Sequence, residues 1–207
     1  MNKVNTHLKI TVVIITSCLL NFNADAQDSL ITTDSLRSPA VGKVRTVVRK
    51  RIIAGKPEEV FAFMDNIENT GKHMTRSNTS MMGSKLGLEW LTDHKTGLGT
   101  KYRWRGKVMG MKMDFTVLVT QWNPGKEKIW ESVGESKMIV ISWYRMFLVL
   151  TPLPDGTTET EIGIYYTKSR NILGFLLGKR YSVWCVKSML KDTKKHFSKI
   201  HKENARK

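Results

Sequence analysis

Between Lys101 and Val119 the chain reads KYRWRGKVMGMKMDFTVLV, two alternating runs whose parity flips in the middle. In the first run Tyr102, Trp104, Gly106 and Val108 are mostly apolar, while Lys101, Arg103, Arg105 and Lys107 are cationic. In the second, Met111, Met113, Phe115, Val117 and Val119 form the apolar set, with Lys112, Asp114 and Thr116 between them. A period of two is the pattern of a half-buried strand. A turn at Met109–Gly110 reconciles the two parities. It sets Val108 opposite Met111, Trp104 opposite Phe115 and Tyr102 opposite Val117, so every apolar group lands on one face. The same register puts Arg105 opposite Asp114 on the outer face, a weak ion pair. Met-Gly is not a strong turn dipeptide, so a bulged three-residue loop stays open. A hairpin with so apolar a face must bury it.

The flanking sequence supplies the partners. VRTVVRKRII at 44–53 reads as a strand, and KPEEVFAFMDNIEN follows, with Pro57 placed to open a helix and Glu58 and Glu59 at its positive end. The polar stretch Thr70–Ser80 reads as loop. Further strands are predicted at Leu86–Leu91, 99–108, 111–122, 127–133, 138–151 and 157–168, separated by Gly, Asn-Pro-Gly and Pro-Asp-Gly turn signals. From Asn171 onward Ile172, Phe175, Leu176, Val183, Val186, Leu190, Phe197 and Ile200 recur at a spacing near 3.6, predicting one long helix with a single apolar stripe. Gly174 and Gly178 weaken its first turns, for close packing or for opening. One strand, a short helical pair, six strands in succession and one long helix make an α+β chain. Its curved antiparallel sheet is covered by the terminal helix.

Residues 1–26 read as a secretory signal peptide: Lys3 and Lys9 precede the apolar run Ile10–Leu20, and Asn23–Ala26 offers a cleavage site after Ala26. The run is too short to span a bilayer. Apolar Leu19 and Leu20 argue against lipoprotein cleavage at Cys18. Residues 27–43 are a polar tether, and 44–207 a single domain. Cleavage leaves Cys185 as the one cysteine, so no intramolecular disulfide can form. The exported chain, periplasmic or secreted, would carry 32 Lys and Arg against 17 Asp and Glu, a net of +15. Residues 168–207 hold 12 basic and two acidic groups, +10 of that excess.

KPEEVFAFMDNIEN, GLGTKYRWRG at 97–106, VTQWNPGKEKIWES at 119–132, DGTTETEIGIYY at 155–166 and ILGFLLGKR at the start of the last helix together resemble the SRPBCC superfamily. This is the START/Bet v 1-like, helix-grip group, and the closest branch is the polyketide cyclase/dehydrase and lipid-transport one. The resemblance covers about residues 44–200. It implies a helix-grip fold: a curved antiparallel sheet of about seven strands around a long C-terminal helix, with two short helices after strand one. It also implies a cavity between sheet and helix. The residues expected to line that cavity are Trp90, Tyr102, Trp104, Met113, Phe115, Val117, Ile162, Ile164, Tyr166, Leu176 and Val183.

No sequence signature of chemistry accompanies them. There is no HExxH, GxSxG or GxxxxGK[ST], and His73, His94, His196 and His201 sit in polar or basic surroundings. No metal or cofactor is expected. Asp65, Glu68, Glu131 and Glu135 read as solvated carboxylates, and a lone buried carboxylate, or a tyrosine such as Tyr102 or Tyr166 inside an apolar cavity, could act as general acid or base. The expected function is therefore binding, or transport, of a hydrophobic small molecule or lipid by a monomer. The alternatives are a cyclase or dehydratase using the same cavity and, more weakly, a protein-interaction module. On the last helix Leu177, Trp184, Lys187, Lys191, Lys194 and Lys195 are the expected contacts with an anionic membrane surface, with plain solubility as the alternative. Export argues against nucleic acid as the partner.

Overall fold

The computed structural model describes residues 42–75, 85–108, 110–204 and 206. The expected signal peptide 1–26, Cys18 and almost all of the expected tether 27–43 lie outside the described residues. Strand β1 (Arg45–Ile53) leads into helix α1 (Pro57–Asp65) and two single helical turns, α2 (Ile67–Thr70) and α3 (Lys72–Thr75). Six strands follow: β2 (Lys85–Trp90), β3 (Lys101–Val108), β4 (Met111–Asn123), β5 (Glu127–Lys137), β6 (Ile141–Pro152) and β7 (Thr158–Lys168). Helix α4 (Ile172–Asn204) closes the chain.

The sheet runs β1-β7-β6-β5-β4-β3-β2, every pairing antiparallel. Strands β2 to β7 form a meander, and β1 adds to its far edge beside β7. The β3–β4 hairpin has the register that the parity flip demands: Val108 faces Met111, Trp104 faces Phe115 and Tyr102 faces Val117. Gly110 turns it with φ 76°, a conformation that glycine alone adopts without strain. Asp114 does sit opposite Arg105, but its stronger partner is the diagonal Arg103, whose Nε and terminal nitrogen donate to both carboxylate oxygens at 2.6 and 2.7 Å. Arg105 reaches the same carboxylate only at 3.4 Å.

Two local expectations need correction. The second short helix is two turns, because Gly71 interrupts it. A Cβ there would stand 2.5 Å from the Ile67 carbonyl and 2.9 Å from the Trp104 ring. Part of the stretch read as loop is thus helical, and its Met74 is buried.

Helix α4 departs further from its predicted stripe. Its buried line is Gly174, Gly178, Ser182, Val186 and Leu190, joined by Cys185, Met189, Thr193 and Phe197. Steps of four residues on a 3.6-residue helix turn the line by about 40° each, so the contact face winds around the helix as it crosses the twisted sheet. Only small residues fit at its first turns. A Cβ on Gly174 would collide with the Ser169 carbonyl, and one on Gly178 would lie 3.0 Å from Lys168 Cγ and 3.2 Å from the Val140 carbonyl. Close packing is therefore the role of these glycines. Ile172, Phe175, Leu176 and Ile200, expected inside, are exposed, Ile200 the least of the four.

Candidate functional site

The expected wall residues fall into four groups. Tyr102 and Trp104 from β3, Phe115 from β4 and Ile164 from β7 are buried and border one cavity under α4. Met113, Val117, Ile162 and Tyr166 are equally buried on the same face but pack as core outside the cavity lining. Trp90 is half-buried and meets Tyr102 edge to face, ring centroids 5.7 Å apart. Val183 is half-buried against the core without lining the cavity. Leu176 is the error: it points outward because the glycines on either side of it take the sheet-facing positions.

Other elements complete the wall. Trp130 on β5, with Tyr144 and Met146 on β6, extends it across the sheet, and Met138 and Ile141 close the end nearest the start of α4. Helix α4 contributes Tyr181, Cys185 and Met189, and α2–α3 contribute Ile67, Thr70 and Met74. Alternation could not have singled out Trp130 and Tyr144, because Ile129 beside Trp130 and Trp143 beside Tyr144 leave both faces apolar. Tyr181 and Cys185 required the true register of α4.

The cavity measures about 50 Å³ and carries no Asp, Glu, Lys, Arg or His on its wall. Its polar side chains are Thr70, three tyrosines, two tryptophans and Cys185, and the hydroxyls can accept as well as donate. The hydroxyls of Tyr102 and Tyr144 and the indole N–H groups of Trp104 and Trp130 have no partner among the described residues, and none of the four is sealed from free space. The Tyr181 hydroxyl instead donates to Met74 Sδ at 3.7 Å. Burial pushes the phenols of Tyr102, Tyr144 and Tyr181 well above their ordinary range, and the charge of Asp65 adds to the shift at Tyr102. Burial likewise pushes the Cys185 thiol up to about 12. All four groups are protonated at neutral pH, which makes them donors rather than bases or nucleophiles.

Behind this wall lies a charge cluster that the sequence did not disclose. Asp65, read as a solvated edge, is buried. It accepts from Lys128 Nζ at 2.6 Å and from Trp122 Nε1 at 3.0 Å, and Lys128 also donates to the Asp65 carbonyl at 3.2 Å. Burial lowers the Lys128 pKa against the opposing pull of Asp65. The Lys128 ammonium stands 5.3 Å from the ring centre of Trp130, linking the cluster to the cavity wall. Glu131, also read as solvated, is part-buried and paired with Arg145 at 3.0 Å. His94, His196 and His201 are exposed. Among the described residues no three His, Cys, Asp or Glu side chains come together as a metal site.

The membrane-facing set also divides. Lys187, Lys191, Lys194 and Lys195 are exposed as expected. Leu177 and Trp184 are half-buried, and Trp184 packs against Tyr181 and the core. The strongly exposed apolar residues of this helix are Ile172, Phe175 and Leu176 instead.

No family model and no curated protein matches the chain. Solved structures do. A protein from Thermus thermophilus is similar with 20% identity and TM-score 0.55, over 75% of this chain and 99% of that one. Norcoclaurine synthase from Thalictrum flavum is similar with 10% identity and TM-score 0.53, over 74% and 86%. Ginseng major latex-like protein 151 from Panax ginseng is similar with 11% identity and TM-score 0.52, over 75% and 99%. At such identities the likeness is one of fold. It is the helix-grip fold that the sequence resemblance implied.

Proposed function

We propose that this helix-grip protein binds a neutral, largely apolar small molecule or lipid between the sheet and α4. The observation that carries the reading is the uncharged cavity walled by apolar and aromatic side chains, where the Tyr102 and Tyr144 hydroxyls leave hydrogen-bonding capacity for a ligand carbonyl, ether or hydroxyl oxygen. At about 50 Å³ the cavity admits only a small group as it stands. Drug-sized ligands occupy roughly 300–1,000 Å³, so occupancy opens the wall. Met74, Met138, Met146 and Met189 line it, and methionine rearranges at little cost.

The same features give less support to a cyclase or dehydratase, because the phenols and Cys185 are the lining groups that titrate and all are held protonated. A protonated phenol would leave such an enzyme a general acid without a base. Export through the signal peptide of residues 1–26 would place the binder outside the cytoplasm, and its basic C-terminal helix suits an anionic membrane as the source of a lipid.

Native mass spectrometry of the purified protein tests the proposal by seeking a co-purified neutral ligand. Quenching of tryptophan emission by a neutral naphthalene dye tests it in titration. Tyr102→Phe with Tyr144→Phe should weaken binding about fivefold or more while the fold melts cooperatively, since each lost hydrogen bond is worth roughly 0.5–1.5 kcal/mol. No co-purified ligand together with no saturable dye binding would overturn it.

A further inference from the structure

We infer that the start of α4 is a docking site for an anionic lipid surface, with Ile172, Phe175 and Leu176 as the inserted groups. This rests on the membrane part of the reading above and not on the cavity. The three side chains stand at positions i, i+3 and i+4 and so share one face. They are 73%, 71% and 59% exposed, on a helix whose other large apolar side chains are mostly packed. Grouped exposure of this kind marks a contact surface, whereas singly scattered apolar residues do not.

The charge around the trio selects the partner. Lys168 holds its ammonium 5.0 Å from the Phe175 ring centre and donates to the Phe175 carbonyl at 2.6 Å. Arg170 precedes the trio, and Lys179 and Arg180 follow it by one turn, all three exposed. The sequence has no acidic residue between Glu161 and Asp192. The antiparallel register brings the β3–β4 turn to the same end of the sheet, with Lys107, Lys112 and the part-exposed Met111. The end of β5, with Glu135 and Lys137, lies there as well. A second copy of this surface would bring like charges together, and a nucleic acid would leave the trio in water. An anionic bilayer satisfies both halves: apolar groups enter the acyl boundary while the cations meet headgroups. Docking by this end sets Met138, Ile141 and Tyr181 of the cavity wall beside the membrane.

Vesicle sedimentation of the compact unit Ala40–Lys207 tests the inference, and this boundary keeps the apolar run Ile10–Leu20 out of the assay. Phosphatidylcholine vesicles are compared with phosphatidylcholine–phosphatidylglycerol vesicles. The wild-type unit should sediment with the anionic vesicles, and less so as salt rises. Ile172→Ser, Phe175→Ser and Leu176→Ser together should lower partitioning about tenfold or more with melting unchanged, since none of the three is packed. Lys179→Glu with Arg180→Glu should lower it as well. Phe175→Trp alone should shift its emission to shorter wavelength on anionic vesicles, an independent readout if the serine variant is destabilised. Tyr102→Phe with Tyr144→Phe should sediment as wild type, so the cavity and the docking site fail separately. Wild-type partitioning by the serine variant, equal binding to both vesicle types, or loss of a dimer in place of loss of vesicle binding would each overturn the inference.

Discussion

Replacing Lys128 with methionine leaves the Asp65 carboxylate buried with its indole donor but without its cation. The two side chains are only 7% and 6% exposed, and their 2.6 Å contact ties the end of α1 to β5. Breaking a buried pair by removing one partner costs about 3–5 kcal/mol. For a domain of this size that is a fall in melting temperature of roughly 6–20 °C, at about 2–4 °C per kcal/mol. Burial already outweighs the pull of Asp65 on the Lys128 ammonium, so the pair itself contributes little beyond what apolar packing would. Adding Asp65→Leu to Lys128→Met should therefore recover most of the loss. The remainder is the half-buried Trp122 indole, which then lacks its acceptor, at about 1–3 kcal/mol. Urea unfolding followed by circular dichroism on the wild type, both single variants and the double variant gives the coupling directly. A loss below about 1 kcal/mol for Lys128→Met would show the carboxylate to be hydrated, and a double variant worse than the sum of the singles would refute the reasoning.

The phenols and thiol make stability fall in alkali: their folded pKa values are raised, so their contribution is complete below the ordinary values of 9.0 and 10.0 and is lost as pH rises through the folded ones. Unfolding followed against pH should show a decline beginning near 9, shallower in Tyr144→Phe, and a flat profile through that range would contradict the burial of these groups. Gly174→Ala should lower the melting temperature although alanine favours a helix by about 1 kcal/mol, because its Cβ would collide with the Ser169 carbonyl. Leu190→Ala should cost about 2–5 kcal/mol, whereas Leu176→Ser should stay within about 0.5 kcal/mol, a contrast that chemical denaturation reads at once.

Strand pairing was legible because its code is short. The parity flip at Met109–Gly110 contains the register of β3 against β4 residue by residue, and the structure has that register unchanged. The Asp65–Lys128 contact joins residues 63 apart in sequence, and no local pattern distinguishes its aspartate from the solvated Glu68 a few residues on. The volume of the cavity was equally hidden, since it depends on the rotamers that four methionines adopt.

The stripe of α4 failed for a different reason. A hydrophobic period places large apolar residues inside, which holds when one fixed face of a straight helix is buried. Here the buried line winds around the helix, and the sheet comes so close to its first turns that only Gly174 and Gly178 fit beneath Lys168 and Ser169. The large side chains of those turns then have no inward position to take. Folding alone would be served as well by polar residues at 172, 175 and 176, which would also spare water the apolar surface. Isoleucine, phenylalanine and leucine at three exposed positions, set among four cations, are thus unaccounted for by the fold. Their cost in exposed apolar area is offset only if a second surface removes them from water.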